Sequence, residues 1–378
     1  MTMRIDSLRR ARLVLGFAVC AALACGGAER PPVETVPTRR AVHEAFEELP
    51  GVVLGERHFA LAGALHVTVA TPDEARTRAA LASAFAVADS IDRMVSHHVA
   101  GSDVSRINAA AGREPVAVSP WLEEIIALGL EWAERTGGAF DPTVGPLVDA
   151  WGFGETVTVP TNEKLEAARR LVGWSKVRLD RSRHTVFLPE AGMQLDLRAL
   201  AKGYALDRMR ETMIAAGATS GIADFDGDLM FFGPGTESRA DLWPIEVPDP
   251  YDPNRTFARL ELFPGGFSTS AYYDRAIEIE GERYGHLLDP RTGWPVRGLA
   301  SVSVYATDVV INDILATALF VMGTEEGLRF AEELDDVEAM FVVDAEPGQR
   351  SKVVTTGGLG RYLKDVDPPY RPAVVEDR

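Results

Sequence analysis

The sequence predicts an α+β fold in which mostly antiparallel sheets are flanked by helices. Two observations lead there. Strand-like runs and amphipathic helical stripes cluster along the chain instead of alternating one for one, as a doubly wound parallel sheet would require. Neither G-x-G-x-x-G nor G-x-x-x-x-G-K-[ST] occurs, so the glycine loops of the common nucleotide-binding parallel sheets are missing.

In chain order, Arg4, Arg9, Arg10 and Arg12 precede an apolar run from Leu13 to Ala24, the pattern of an export signal too short for a mature membrane span. The run closes on Ala22-Leu23-Ala24-Cys25-Gly26-Gly27, and small residues before a cysteine resemble a bacterial lipoprotein signal with Cys25 as the lipidated residue. Residues 26–50, rich in Pro and charge at their start, read as a tether, and a single domain is expected over 51–365. Thr71-Pro72-Asp73-Glu74 reads as an N-cap at Thr71, Pro at the first helical position and a capping-box Glu. It opens a helix with Leu81, Phe85, Ala88, Ile91 and Met94 on one stripe. Ser119-Pro120 opens a second helix, stopped by Gly137-Gly138; a third follows Thr161; another runs from about Leu200 to Ala216. Strands are expected at Lys176 to Leu179, Thr185 to Leu188, Gln194 to Leu197, Ile222 to Phe225, Trp243 to Val247 and Phe257 to Leu262. Arg275 to Glu278 and Tyr284 to Leu288 form a hairpin around Gly281, and Val302 to Tyr305 leads into a helix from Asp308 to Met322, ended by Gly323.

Composition narrows the chemistry. The 378 residues carry 39 Lys+Arg against 56 Asp+Glu, a formal charge of −17, which argues against nucleic acid or an anionic membrane surface as the main partner. The two cysteines, Cys20 and Cys25, both lie in the leader, so the folded part has no disulfide framework, cysteine nucleophile or thiolate metal site.

Four segments could carry chemistry. In Asp196-Leu197-Arg198-Ala199-Leu200-Ala201-Lys202-Gly203-Tyr204 a strand gives way to a helix whose free amides and Lys202 form an anion site, unless Lys202 simply reaches solvent. Asp313 and Thr317 lie four apart on a mostly apolar helix. A hard cation such as Mg²⁺ would satisfy the carboxylate, and so would a nearby Lys or Arg. His286, before the Asp289-Pro290 and Thr292-Gly293 turn, is a candidate general base or a structural strand-end residue. Gly137 to Pro146 together with Trp151-Gly152-Phe153-Gly154 could frame a flat ligand or form turn and core. A rival, Asp224-Phe225-Asp226-Gly227-Asp228, resembles the aspartyl-nucleophile loop of haloacid-dehalogenase-type phosphatases, but Asp228 stands where that motif has Thr or Val.

Together and in order, these segments resemble the ApbE family of FAD:protein FMN transferases. Met94 to His98 with Ser102-Asp103-Val104-Ser105-Arg106-Ile107-Asn108 is similar to its L-S-T-Y…S-E-x-S-R-L-N. Gly138-Ala139-Phe140-Asp141-Pro142-Thr143 with Trp151 to Gly154 resembles G-A-F-D-P-T…W-G-F-G. Asp196 to Tyr204 resembles D-L-G-A-I-A-K-G-Y, His286 to Gly293 resembles H-I-I-D-P-R-T-G, and Asp313 to Phe320 resembles D-A-L-A-T-A-L-F. The resemblance implies a Mg²⁺-dependent enzyme that moves the FMN half of FAD onto a Ser or Thr hydroxyl of an exported redox protein and releases AMP. It implies that the Ala199 carbonyl, Asp313 and Thr317 hold the metal. It also implies that Ala139, Phe140, Asp141, Asp196, Lys202 and Leu287 contact FAD, with His286 beside the reacting phosphate. The sequence departs from the pattern where M-G-T becomes Leu61-Ala62-Gly63-Ala64, where S-T-Y ends in His98, where the first Gly of N-x-G-G is Asp226, and where T-S-G is Thr269-Ser270-Ala271. An FAD pyrophosphatase and a non-catalytic periplasmic FAD-binding lipoprotein are the alternatives, and the leader is expected to place the protein on the periplasmic side of a bacterial membrane, anchored by lipid at Cys25.

Overall fold

The computed structural model describes residues 51–96, 99, 101–153, 157–235, 242–272, 277–279, 281–344, 351–367 and 370–374. The export signal, Cys25, the tether, His97, His98, Gly154 and Arg275 lie outside them.

The chain opens on a hairpin of β1 (Val52–Ala60) and β2 (Gly63–Thr71), in register from Val52↔Thr71 to Ala60↔Gly63. The two residues between them, Leu61 (φ 47°) and Ala62 (φ 58°), both sit in the left-handed region that a two-residue hairpin turn demands. Neither side chain favours that backbone. Ala62→Gly is therefore expected to raise stability by about 0.5–1 kcal/mol, read as a higher Tm; a lower Tm would contradict the turn geometry.

α1 (Glu74–Val95) buries Leu81, Ala84, Ala88 and Ile91. Its N-cap is Asp73, whose carboxylate accepts the Arg76 amide, and not the expected Thr71. Thr71 ends β2, and its hydroxyl is committed to the Asp73 carbonyl and to Thr77 instead. Phe85 leaves the buried stripe and stacks on His58 at 4.8 Å. Next come α2 (Asp103–Ala109), β3 (Val116–Ala117), α3 (Pro120–Arg135), α4 (Gly145–Trp151) and α5 (Asn162–Leu171). Ser119 and Thr161 cap α3 and α5 as their sequences require, and Gly137 (φ 59°) and Gly138 (φ 81°) stop α3. A 3-10 turn at Trp174–Lys176 replaces the start of the strand expected from Lys176, leaving β4 (Arg178–Asp180) to pair with β5 (Thr185–Phe187). No strand forms at 194–197. Leu195 is instead bracketed by the Asn108 side chain, which donates to its carbonyl at 3.0 Å and accepts its amide at 2.8 Å, while the Asp196 amide donates to the Pro142 carbonyl. A side-chain amide thus takes the hydrogen bonds that a neighbouring strand would have supplied.

After α6 (Arg198–Ala215) come β6 (Ser220–Phe225), β7 (Asp228–Phe232), β8 (Trp243–Asp249), β9 (Asp252–Leu262) and β10 (Gly265–Ala271). The hairpin around Gly281 is short, β11 (Ile277–Ile279) with β12 (Glu282–Tyr284). The strand expected to continue to Leu288 ends at Tyr284, because Gly285 packs against the Tyr272 ring and only Leu288 bridges onward, to Pro295. β13 (Leu299–Ala306) then feeds α7 (Val309–Glu332), which breaks at Gly323 (φ 80°) as expected but resumes beyond it. β14 (Glu338–Val343), β15 (Lys352–Thr355), α8 (Gly357–Tyr362), β16 (Leu363–Val366) and β17 (Arg371–Val374) complete the described residues.

Among the described residues nine strands form one sheet in the order β1-β2-β6-β7-β10-β13-β14-β15-β17, each pairing antiparallel except that of β15 with β17. One face packs under α1, α6 and α7 through Leu65, Val67, Met230, Val302 and Val304. The other packs on a three-stranded sheet, β16-β9-β8, through Phe231, Phe267, Met340 and Val342. The expected α+β class is what forms. Among the described residues no helix is long and apolar enough to cross a membrane.

Candidate active site

The site is built where α6 crosses α7 above the ends of β7 and β10. Gly203 is the close contact: a Cβ there would lie 2.6 Å from the Val309 carbonyl oxygen, 2.7 Å from Val310 Cα and 2.8 Å from Asp313 Cβ. One turn further along α6, Asp207 accepts the Val309 and Val310 amides at 3.1 and 2.9 Å and so caps α7 across the crossing. These two contacts fix the rotation of α7 and bring Asp313 to the start of α6.

Asp313 is 7 % exposed, and its Oδ2 accepts the Gly203 amide at 3.0 Å. That amide would close on the Ala199 carbonyl in a regular helix; here Ala199 (φ −86°, ψ 15°) is out of helical geometry. Burial lifts the Asp313 carboxyl well above the usual carboxylate range, and the charge of Asp228 adds to the effect against the opposing influence of Lys202 and the Gly203 amide. Burial alone would lower the pKa of the Lys202 ammonium, but Asp228, Asp313 and Asp226 outweigh it and the net shift is upward, so Lys202 stays charged. Its Nζ pairs with Asp228 Oδ2 at 2.6 Å. Lys202 thus does not simply reach solvent but is paired with a carboxylate inside the protein. Thr317, one turn beyond Asp313, lies 3.5 Å from the Ser270 hydroxyl of β10. Ser268, two residues earlier on the same strand face, is buried, and its hydroxyl has no hydrogen-bond partner among the described residues.

The 141–143 turn is tied to α6 through the Asp196 amide. Asp141 accepts the Thr143 amide and hydroxyl and the Trp174 amide; burial raises its pKa against those bonds. Asp196 is clamped by Arg198 through Nε at 2.9 and 3.1 Å, an arginine standing where the family segment has glycine. A cavity of about 260 Å³ brings Gly138, Asp141 and Trp174 together with Arg169, Pro290 and Arg291. Ala139 and Phe140 are buried, and Leu287 packs partly buried on the main core. His286 is half-buried in the segment after Gly285, which packs on Tyr272 just beyond the β10 end that carries Ser270. Trp151 is core and does not frame a ligand: it is fully buried, donates to the Gly293 carbonyl at 2.8 Å and stacks near Phe153, Tyr284 and Trp294. Asp224-Phe225-Asp226 is also not a phosphatase loop. It lies on the antiparallel β6–β7 hairpin, where Asp224 accepts the Gly227 amide at 2.9 Å.

Among the described residues no group of three or more His, Cys, Asp or Glu side chains gathers around a metal position. The donor set on offer is all oxygen with one buried carboxylate: Asp313, the Thr317 hydroxyl and a backbone carbonyl at the α6 kink. Hard oxygen donors with few charges fit Mg²⁺ and fit Zn²⁺ poorly. Asp228, visible in the D-F-D-G-D run, and Ser268 are not among the site residues expected from the sequence, whereas Ser270 lies in the segment that stands for T-S-G.

Fold and site together define an α+β protein that holds a buried carboxylate and an ammonium where two helices cross over a sheet. The sequence profile of the ApbE family matches residues 63–341, and the chain belongs to that family. An FAD:protein FMN transferase of Treponema pallidum is 32% identical over 282 residues, 71% of this chain and 78% of the relative. The ApbE protein of Thermotoga maritima superposes with a TM-score of 0.74 at 29% identity, over 83% of this chain and all of its own. Apo flavinyl transferase ApbE from Pseudomonas stutzeri gives a TM-score of 0.69 at 30% identity, over 81% of this chain and 94% of its own.

Proposed function

We propose that this enzyme is an FAD:protein FMN transferase that uses Mg²⁺ to move FMN from FAD to a Ser or Thr hydroxyl of an exported redox protein, releasing AMP. The observation that carries the reading is Asp313, buried on the Gly203 amide beside Lys202 and one turn from Thr317. Asp313, Thr317 and the Ala199 carbonyl would hold the metal, which when bound neutralises diphosphate charge and stabilises the transition state. Lys202, charged and mostly buried, adds a fixed positive field to the same region. In the reaction the acceptor hydroxyl oxygen bonds to the FMN phosphorus, the phosphoanhydride bond breaks, and AMP leaves with the bridging oxygen. His286 takes the hydroxyl proton. The cavity between the Gly138–Asp141 turn and Pro290–Arg291 would take part of the rest of FAD, and Asp196 and Leu287 are further contacts implied by the family pattern.

The test is incubation with FAD, Mg²⁺ and a flavin-accepting redox subunit. A covalent fluorescent band is expected, and its absence would count decisively against transfer. Release of FMN and AMP with no acceptor present would point to a pyrophosphatase, and FAD binding without AMP release under any metal to a binding protein. His286→Ala is expected to lower kcat by about 10²–10⁴-fold with Mg²⁺ binding unchanged; full activity in that variant removes His286 from the chemistry. Export and anchoring through Cys25 rest on the leader sequence, and loss of fatty-acid labelling in Cys25→Ala tests them.

A further inference from the structure

We infer that Asp228 is a positioning residue of this site: it holds the Lys202 ammonium off Asp313 and so keeps that carboxylate open to a divalent cation. The inference rests on the reading of Asp313 as a metal ligand. Lys202 is the residue before Gly203, whose amide holds Asp313, so a long and flexible side chain carrying a cation starts next to the proposed metal carboxylate. An ammonium and a divalent cation compete for the same oxygens. The structure shows the ammonium drawn elsewhere, onto Asp228 Oδ2 at 2.6 Å, with side-chain exposures of 25 % for Lys202 and 8 % for Asp228.

Asp228 is built to stay in place. It follows a turn in which Asp226 (φ 55°) and Gly227 (φ 93°) are both left-handed, and the Gly227 amide is pinned by Asp224. The next residue, Leu229, is registered against Phe267 of β10, so Asp228 is fixed to the strand that carries Ser268 and Ser270. Without its carboxylate, Asp313 is the remaining buried acid whose charge acts strongly on Lys202.

The experiment is a double-mutant cycle read by Mn²⁺ binding, with free Mn²⁺ followed by electron paramagnetic resonance on the purified full-length protein without FAD. Asp228→Asn is expected to weaken Mn²⁺ binding about tenfold, because Lys202 moves onto Asp313. Lys202→Met alone should change it less than about threefold, whereas Lys202→Met in the Asp228→Asn background should recover most of the lost affinity. A uniform effect of charge would make the two substitutions additive, so additivity overturns the inference, as does wild-type Mn²⁺ affinity in Asp228→Asn. Asp228→Glu keeps the charge and is expected to bind Mn²⁺ nearly as the wild type does; if Asp228→Asn fails to fold, a tenfold loss in folded Asp228→Glu with no recovery on adding Lys202→Met overturns it instead. Asp313→Asn is the control: unchanged Mn²⁺ binding there removes the metal reading itself, whereas loss there with no effect at Asp228 removes only this inference.

Discussion

Asp313→Ala is expected to lower Mg²⁺-dependent transfer at least about 10³-fold and to remove the stabilisation that Mg²⁺ gives the wild-type domain, roughly 5 °C in Tm at saturating metal. The direction follows from burial. In the metal-free protein the carboxyl is held above its ordinary range, first by desolvation and then by the nearby charge of Asp228. A carboxyl whose folded-state pKa is raised contributes stability at low pH that is lost as pH climbs from the ordinary carboxylate range through the raised value. A cation bound to the ionised form reverses that loss. The Mg²⁺-induced rise in Tm should therefore be larger at about pH 8.5 than at about pH 6, and this difference should vanish in Asp313→Ala. A variant that keeps both full turnover and the pH-dependent Mg²⁺ response would dismiss Asp313 as the metal carboxylate.

Gly203→Ala is expected to be nearly as damaging through a different cause. The added methyl would meet the Val309 carbonyl oxygen, Val310 Cα and Asp313 Cβ at 2.6–2.8 Å, and two of those three are backbone that cannot rotate away. Overpacking of this kind costs about 1–3 kcal/mol, visible in denaturant unfolding. The relief available to the protein is to part α6 from α7, which carries Asp313 away from Ala199 and Lys202. A displacement near 1 Å at a reacting centre costs about 10²-fold in rate. Tm and transfer rate should fall together, with Mg²⁺ affinity reduced. Gly129→Ala offers a comparison, since a Cβ there makes only ordinary contact with Pro142 at 3.4 Å. Equal loss in both variants would mean that α3 and α6 merely dislike a methyl, and that the α6–α7 crossing has no special role.

Much of the fold was legible because its signals are local. Ser119-Pro120, Thr161 and the glycines at 137 and 138 mark helix ends by capping chemistry that needs no partner, and all behave as read. The strands around Thr185, Ile222, Trp243, Phe257 and Val302 show the same directness. β10 was missed because it begins Gly265-Gly266, poor strand formers by propensity. Only the structure shows why they are there: Cβ atoms would strike the Ala306 carbonyl oxygen and the Asn312 side chain. Gln194 to Leu197 reads as a strand because polar and apolar residues alternate, yet the partner of Leu195 is the Asn108 side chain, 87 residues away.

The site divides along the same line. Sequence alone points to the residues proposed to bear chemistry, since Lys202, His286, Asp313 and Thr317 stand in ordered motifs whose residue types suit a phosphate and a hard cation. It also settled that no thiol in the folded part could take part. Tertiary structure alone decided how those groups are charged and aimed. The Gly203 contact, the Asp207 cap on α7 and the pairing of Lys202 with Asp228 each join residues from different elements, and burial and Coulomb energy depend on what lies across those contacts. A motif names the side chain that can hold a proton or a metal, but the field that sets whether it does is made by neighbours far away in the chain.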